Sequence, residues 1–264
     1  MGEVSKTAVD DAALRCARLT LRVPGRTLVE GLELEVRPGA VLAVLGRNGA
    51  GKSTTLHALA GLRPAAAGEV TLGGRRLAEW PRRELARRVG LLPQVNEDPF
   101  PATALDAVLV GRHPHLGFWQ WESDADRAIA QGCLAAVDLA AFDRRDVATL
   151  SGGERRRVAA AAVLAQDPQT YLLDEPIQQL DPQHQLDVLR IFRRLADQGR
   201  AVAMILHDAG LAARFADDAL LLFGNGHWAH GPCAQVLNEE SIGELYGMPV
   251  RELRWADGRT FVAA

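Results

Sequence analysis

A buried-looking apolar run that ends in a glycine loop and a lysine, AVLAVLGRNGAGKS at residues 40–53, constrains this chain more than any other feature. Residues 40–46 read as a buried strand, the spacing G-x-x-x-x-G-K-[ST] follows at once, and a helix is expected from Lys52 to about Ala60. Gly46, Gly49 and Gly51 let successive backbone N–H groups curl around phosphate oxygens, and the positive end of the helix adds to the attraction. Lys52 would reach the β and γ phosphates as a compact charge, and the Ser53 hydroxyl is offered to magnesium. Lysine occurs only at positions 6 and 52, against arginine elsewhere; a lysine kept here fits a site too tight for a guanidinium fork.

The surrounding pattern sets this loop in an α/β chain. LTLRV and LELEV (19–23, 32–36) alternate as strands, GEVTLGG is a short strand with a turn, PRRELARR is a short helix starting on proline, and VGLLPQ is another buried strand. Residues 98–149 turn helical, with Ser123 and Asp126 forming a capping-box start. TYLLDE (170–175) and AVAMIL (201–206) are buried strands separated by a helix from about Pro182 to Ala196. LLLFGNGHWAHG reads as a hairpin with Asn225 and Gly226 at its turn, and ESIGELYG as a last small helix. The expectation is one domain over 1–264 with a mostly parallel sheet. Residues 1–97 and 150–264 would form a nucleotide-binding core with an N-terminal antiparallel β subdomain, and 98–149 a helical insert.

Bulk properties narrow the partners. The 48% hydrophobic content suits a packed core, and a formal charge of −3 provides no global field for nucleic acid or an anionic surface. Cys16, Cys133 and Cys233 are odd in number and far apart, which fits a reducing compartment rather than a disulfide framework or a zinc site. The first sixteen residues have no apolar core of a signal peptide, and no apolar run approaches the ~18 residues that span a bilayer.

Further candidates sit at the ends of predicted core strands. Asp174 and Glu175 end TYLLDE, at the edge where open α/β sheets bind ligands. There Asp174 can hold magnesium through water, and Glu175 can orient and deprotonate an attacking water. Gln94 ends VGLLPQ and His207 follows AVAMIL, so both can point at the same phosphate edge. Asp181 reads as a helix N-cap with Pro182 at N1. In TLSGGERRRV, Ser151 and Glu154 make a capping box, which leaves Gly152 and Gly153 unexplained. Bare N–H groups at a helix start form an anion site, and a second cradle set apart from the first suits a nucleotide shared with another subunit.

GRNGAGKST, LLPQ, LSGGE, YLLDEP, LDP and ILHD, in this order and spacing, resemble the ATPase subunits of ABC transporters over essentially the whole length. The fold this implies is a P-loop NTPase of the RecA-like kind, working with ATP and Mg2+. The resemblance further implies a head-to-tail homodimer with two ATP molecules, each between the P-loop of one subunit and the signature of the other. On this chain the P-loop is Gly46, Arg47, Asn48, Gly49, Ala50, Gly51, Lys52, Ser53 and Thr54. Ser151, Gly152, Gly153 and Glu154 would form the signature facing the other copy's γ-phosphate. Gln94 would sense magnesium, alongside Ser53 and Asp174, and couple to the membrane subunit. His207 would hold the γ-phosphate, and Asp181 would link the two sites.

FPATALDAVLVGRHPHLG resembles a run in importers of iron chelates, haem and vitamin B12. This implies a separate permease dimer, an indirect periplasmic binding protein and a peripheral position on the cytoplasmic face of the plasma membrane. An importer of zinc or manganese, or a soluble ABC ATPase acting on nucleic acid or ribosomes, is the alternative; the latter usually carries coiled-coil, tandem or basic extensions. Two departures stand out. No aromatic residue precedes Trp80, so Val23 takes the place of the usual adenine-stacking ring, and Ile177, Gln178 and Gln179 replace the usual small or polar residues after Pro176. His113 and His115, lacking nearby carboxylate or cysteine ligands, read as loop residues. Phe118, Trp119 and Trp121 read as core anchors of the helical insert, or, if exposed, as a docking surface for the membrane subunit.

Overall fold

Three sheets organise the computed structural model, which describes residues 13–94, 102–117, 119–256 and 258–264. The expectations placed on residues 1–12, on the first residues of the FPATALDAVLV run and on Phe118 lie outside the described residues.

The chain opens with β1 (Leu14–Val23) and β2 (Arg26–Val36), paired antiparallel around a turn at Pro24 and Gly25. β3 (Val41–Gly46) leads into α1 (Lys52–Leu59), and then come β4 (Ala67–Leu72), β5 (Arg75–Arg76), α2 (Arg82–Ala86) and β6 (Val89–Leu92). Helices α3 (Ala104–Leu109), α4 (Asp124–Ala136) and α5 (Gly152–Gln166) come next, then β7 (Thr170–Leu173), α6 (Pro182–Asp197), β8 (Ala201–Ile205) and α7 (Ala209–Phe215). The last elements are β9 (Asp218–Leu222), β10 (Trp228–Pro232), α8 (Cys233–Val236), α9 (Glu239–Tyr246), β11 (Val250–Trp255) and β12 (Gly258–Ala263).

The central sheet has the order β10-β9-β3-β8-β7-β6, parallel except for the β10 edge. Its inner strands β9, β3, β8 and β7 are buried at every position because both faces are covered, as parallel sheets require. Tyr171 and Leu173 face a core formed with α3–α7, while Leu172 faces the core shared with the antiparallel sheet β2-β1-β4-β5. Tyr171 and Phe192 meet edge-on with ring centroids 5.7 Å apart, which pins α6 to this face.

Several local expectations hold in detail. Ser123 accepts from Asp126 N at the start of α4, and Ser151 accepts from Glu154 N at the start of α5; both are reciprocal capping boxes. Asp181 caps α6 with Pro182 behind it. The β9–β10 hairpin turns through residues 223–227, with Gly224 and Gly226 at positive φ.

Two features differ from the sequence reading. Trp119 and Trp121 are each 89% exposed, not core anchors. The helical core is already filled by Leu109, Leu134 and Val158, and neither Trp119 nor Trp121 is part of it. The β11–β12 hairpin was not expected: Arg251, Glu252 and Arg254 interrupt the apolar alternation by which a strand is recognised.

Candidate active site

Parallel register brings Gln94, Asp174, Glu175 and His207 to one sheet edge. Leu92 pairs with Leu173, and Leu173 with Met204, so Gln94 and Glu175 each stand two residues beyond paired positions and His207 stands three beyond. β3, parallel to β8, delivers the P-loop to the same edge.

The loop itself is shaped by close approach. Gly51 has φ 105°, and a Cβ there would lie 3.0 Å from Leu28 Cβ. Lys52 is buried, and its Nζ donates to the carbonyls of Gly46 at 2.8 Å and Arg47 at 3.2 Å. Burial lowers the Lys52 pKa, while the charges of Glu175 and Asp174 oppose that shift. Arg47, Asn48 and Gly49 are exposed, Ala50 is buried, and Ser53 and Thr54 are half-buried. Val23 is half-buried at the end of β1.

Glu175 is 7% exposed, yet its two oxygens have separate partners: Gln94 Nε2 donates to Oε2 at 3.1 Å, and His207 Nε2 lies 2.7 Å from Oε1. Its backbone sits at φ 54°, a left-handed conformation that costs a non-glycine residue about 1–3 kcal/mol and persists only where neighbours enforce it. Tyr246 Oη donates to the His207 carbonyl at 3.0 Å, so α9 fixes the histidine's main chain.

Asp174 is 1% exposed; its Oδ1 has no hydrogen-bond partner, and its side chain is bonded to Ser53. Desolvation raises its pKa, with the Ser53 contact acting in the opposite direction. A buried carboxylate oxygen without a donor, next to a hydroxyl, is an oxygen set that suits Mg2+.

At the start of α5 the two glycines separate in role. A Cβ on Gly153 would fall 2.9 Å from the main-chain oxygen of Gln179, whereas one on Gly152 would meet only the Gln179 side-chain amide oxygen, at 2.3 Å. Gly153 therefore has a packing reason within the chain. Ser151 and Glu154 are engaged in the cap, and backbone hydrogen bonding from Ser151 lowers the Glu154 pKa. Asp181 accepts from His184 N at 3.0 Å and pairs with His184 Nδ1 at 2.7 Å, and these bonds lower its pKa. Ser151 and Asp181 line one open cleft, and Gln94, Glu175 and His207 are not among the residues that wall it.

Arg156 is a site residue that no sequence motif marks. It lies on α5 with 7% of its surface exposed and donates to the carbonyls of Pro93, Gln94, Asp174 and Glu175. Burial pushes its pKa down to about 10, against the pull of Asp174 and Glu175. The legible signal was its place on the same helical stripe as Ala160 and Val163, where apolar residues belong.

Among the described residues, no helix is long and apolar enough to cross a membrane. The family model described as "ABC transporter" matches residues 29–178. The Hemin import ATP-binding protein HmuV of Rhodococcus jostii is 44% identical over 90% of this chain and 80% of its own length. The protein of the same name in Streptomyces coelicolor is 44% identical over 88% and 82%. Among solved structures, a metal-chelate type ABC transporter in an inward-facing conformation superposes with a TM-score of 0.82 at 27% identity, covering 96% of this chain and 97% of that one. An ATP-binding cassette in its ADP conformation shares the fold, with a TM-score of 0.75 at 22% identity over 88% and 97%. The phosphate-type loop, the gripped carboxylate at the sheet edge and these matches agree: the chain belongs to the ABC transporter family, as its ATP-hydrolysing cassette.

Proposed function

We propose that the chain powers uptake of haem or a related iron chelate, working as a homodimer beneath a separate permease dimer. The reading of the cargo rests on the likeness to relatives named for hemin import. In it, the protein lies peripherally on the cytoplasmic face of the plasma membrane, and a periplasmic binding protein acts indirectly through the permease. The exposed Trp119 and Trp121 mark a face on which the membrane subunit docks.

The observation that carries the hydrolytic reading is the Glu175 carboxylate held between Gln94 and His207 beside the Lys52 loop. Residues Gly46 to Thr54 bind the phosphates, with Lys52 leaving the Gly46 and Arg47 carbonyls for the β and γ oxygens. Val23 lies against the adenine. Ser53, Asp174 and Gln94 would hold Mg2+, which when bound would supply charge neutralisation for the γ-phosphoryl group. Glu175 takes the proton of the attacking water, and His207 keeps the carboxylate oriented and meets the γ-phosphate. Ser151, Gly152, Gly153 and Glu154 of one copy close over the nucleotide of the other, and Asp181 links the two sites.

Glu175→Gln tests this reading. Turnover should fall by roughly 10² to 10⁴, the range for a general base, with ATP still bound and a dimer trapped on gel filtration. Near wild-type turnover would remove Glu175 from its role. The cargo is tested by reconstituting the chain with its permease and binding protein in vesicles, where haem, but not cobalamin, should stimulate ATP hydrolysis.

A further inference from the structure

Arg156 is a buried charge that the hydrolytic scheme does not use. It enters from α5, five residues after the Ser151 cap, and its guanidinium reaches two other segments of the chain. Nη1 donates to Pro93 O at 2.6 Å and Gln94 O at 3.3 Å, Nε donates to Glu175 O at 3.2 Å, and Nη2 donates to Asp174 O. Among the described residues its bonds go to main-chain carbonyls and to no carboxylate. Burying a guanidinium is costly, and here the carbonyls offset that cost as a planar fork can and an ammonium cannot.

These carbonyls belong to residues whose placement matters. Glu175 is held at φ 54°, so its conformation must be imposed from outside, and Arg156 grips the peptide units on both sides of its Cα. The same guanidinium holds the main chain of Gln94, whose side chain bonds Glu175 Oε2. A single side chain thus sets the spacing between the carboxylate and its amide partner. Because Arg156 is part of the helix that begins at Ser151, any shift of that helix end is passed to both residues at once.

We propose that Arg156 is a positioning residue for ATP hydrolysis, holding Gln94 and Glu175 in working register from beneath and tying that register to the helix of the Ser-Gly-Gly turn. The proposal rests on the assignment of Glu175 to the hydrolytic site. It acts through main-chain atoms and leaves the Lys52 loop untouched. A misplacement of about 1 Å in such a site costs on the order of 10²-fold in rate.

The test compares Arg156→Gln and Arg156→Lys with the wild type in the full-length protein. Mg-ATP turnover, KM and the affinity for a fluorescent ATP analogue are measured on samples whose melting curves show them folded. The expected result is a kcat reduced about 10- to 100-fold in Arg156→Gln, with KM and analogue affinity within about twofold of wild type. Arg156→Lys should recover only part of the rate, since an ammonium keeps the charge without the fork. A folded variant of either kind with wild-type kcat overturns the proposal, as does a loss of rate matched by an equal loss of nucleotide affinity. Should Arg156→Gln fail to fold, Arg156→Lys alone decides by the same criteria. An active Glu175→Gln protein would instead show that the site assignment is at fault.

Discussion

His207 Nε2 lies 2.7 Å from Glu175 Oε1, on the opposite side of the carboxylate from Gln94. A carboxylate with 8% of its side chain exposed, held at both oxygens, cannot swing between rotamers, so its direction towards a water is set before any nucleotide arrives. His207→Ala should therefore lower turnover by about 10²-fold or more while nucleotide affinity changes little. Steady-state ATP hydrolysis at saturating Mg-ATP checks this, and an unchanged kcat would reduce the contact to a structural one.

Lys52 bonds two carbonyls of its own loop, so it is stored in the position that the phosphates will compete for. A charge-assisted hydrogen bond contributes about 1.5–3 kcal/mol, and Lys52→Ala should weaken ATP binding roughly 10- to 150-fold. Isothermal titration of wild type and variant gives the comparison, and equal affinities would contradict the placement of ATP at this loop.

Much of the site was legible because it obeys strand geometry. Gln94, Glu175 and His207 each end a short buried apolar run, and parallel pairing must then collect them at one edge. The boxes at Ser123 and Ser151 were legible because a cap needs only local spacing. Arg156 was hidden because its partners are main-chain carbonyls from distant segments, and carbonyls have no residue-type signature. The exposure of Trp119 and Trp121 was hidden for a related reason: composition marks tryptophan as core material, and only the packing of Leu109, Leu134 and Val158 shows that the core is already full.

The two glycines of the Ser151 turn can be separated by experiment. Gly153→Ala drives a Cβ to 2.9 Å from a main-chain oxygen that cannot easily retreat, which should cost about 1–3 kcal/mol of stability. Gly152→Ala meets only the movable end of Gln179 and replaces a helical glycine, so its melting temperature should equal or exceed the wild type's. Its turnover should nevertheless fall, because the methyl group displaces the Gln179 amide at the helix end that an anion approaches. Calorimetry paired with ATPase assays distinguishes the two; a fully active Gly152→Ala enzyme would remove the turn from nucleotide contact.

Asp126 supplies the clearest dependence on pH. Its carboxylate accepts from Ser123 Oγ at 2.6 Å and Ser123 N at 3.1 Å, and from Arg112 Nε at 3.0 Å, while Arg112 Nη1 also donates to the Ala165 carbonyl at 2.8 Å. The Ser123 hydroxyl, followed by Arg112, brings its pKa down from 3.8 to about 2. A carboxyl group with a lower pKa in the folded state stabilises fully above the unfolded value and loses that contribution as pH falls through the folded one. The window thus runs from 3.8 down to about 2. Asp126→Asn keeps the shape of the cap but not the charge that Arg112 needs, so at neutral pH the variant should unfold at lower denaturant concentration. That gap should close as the pH drops through the window, since the wild-type carboxyl becomes neutral as well. Urea titrations of both proteins at several pH values measure it, and a gap of constant size down to about pH 2 would show that the charge contributes nothing to holding α4 against α5.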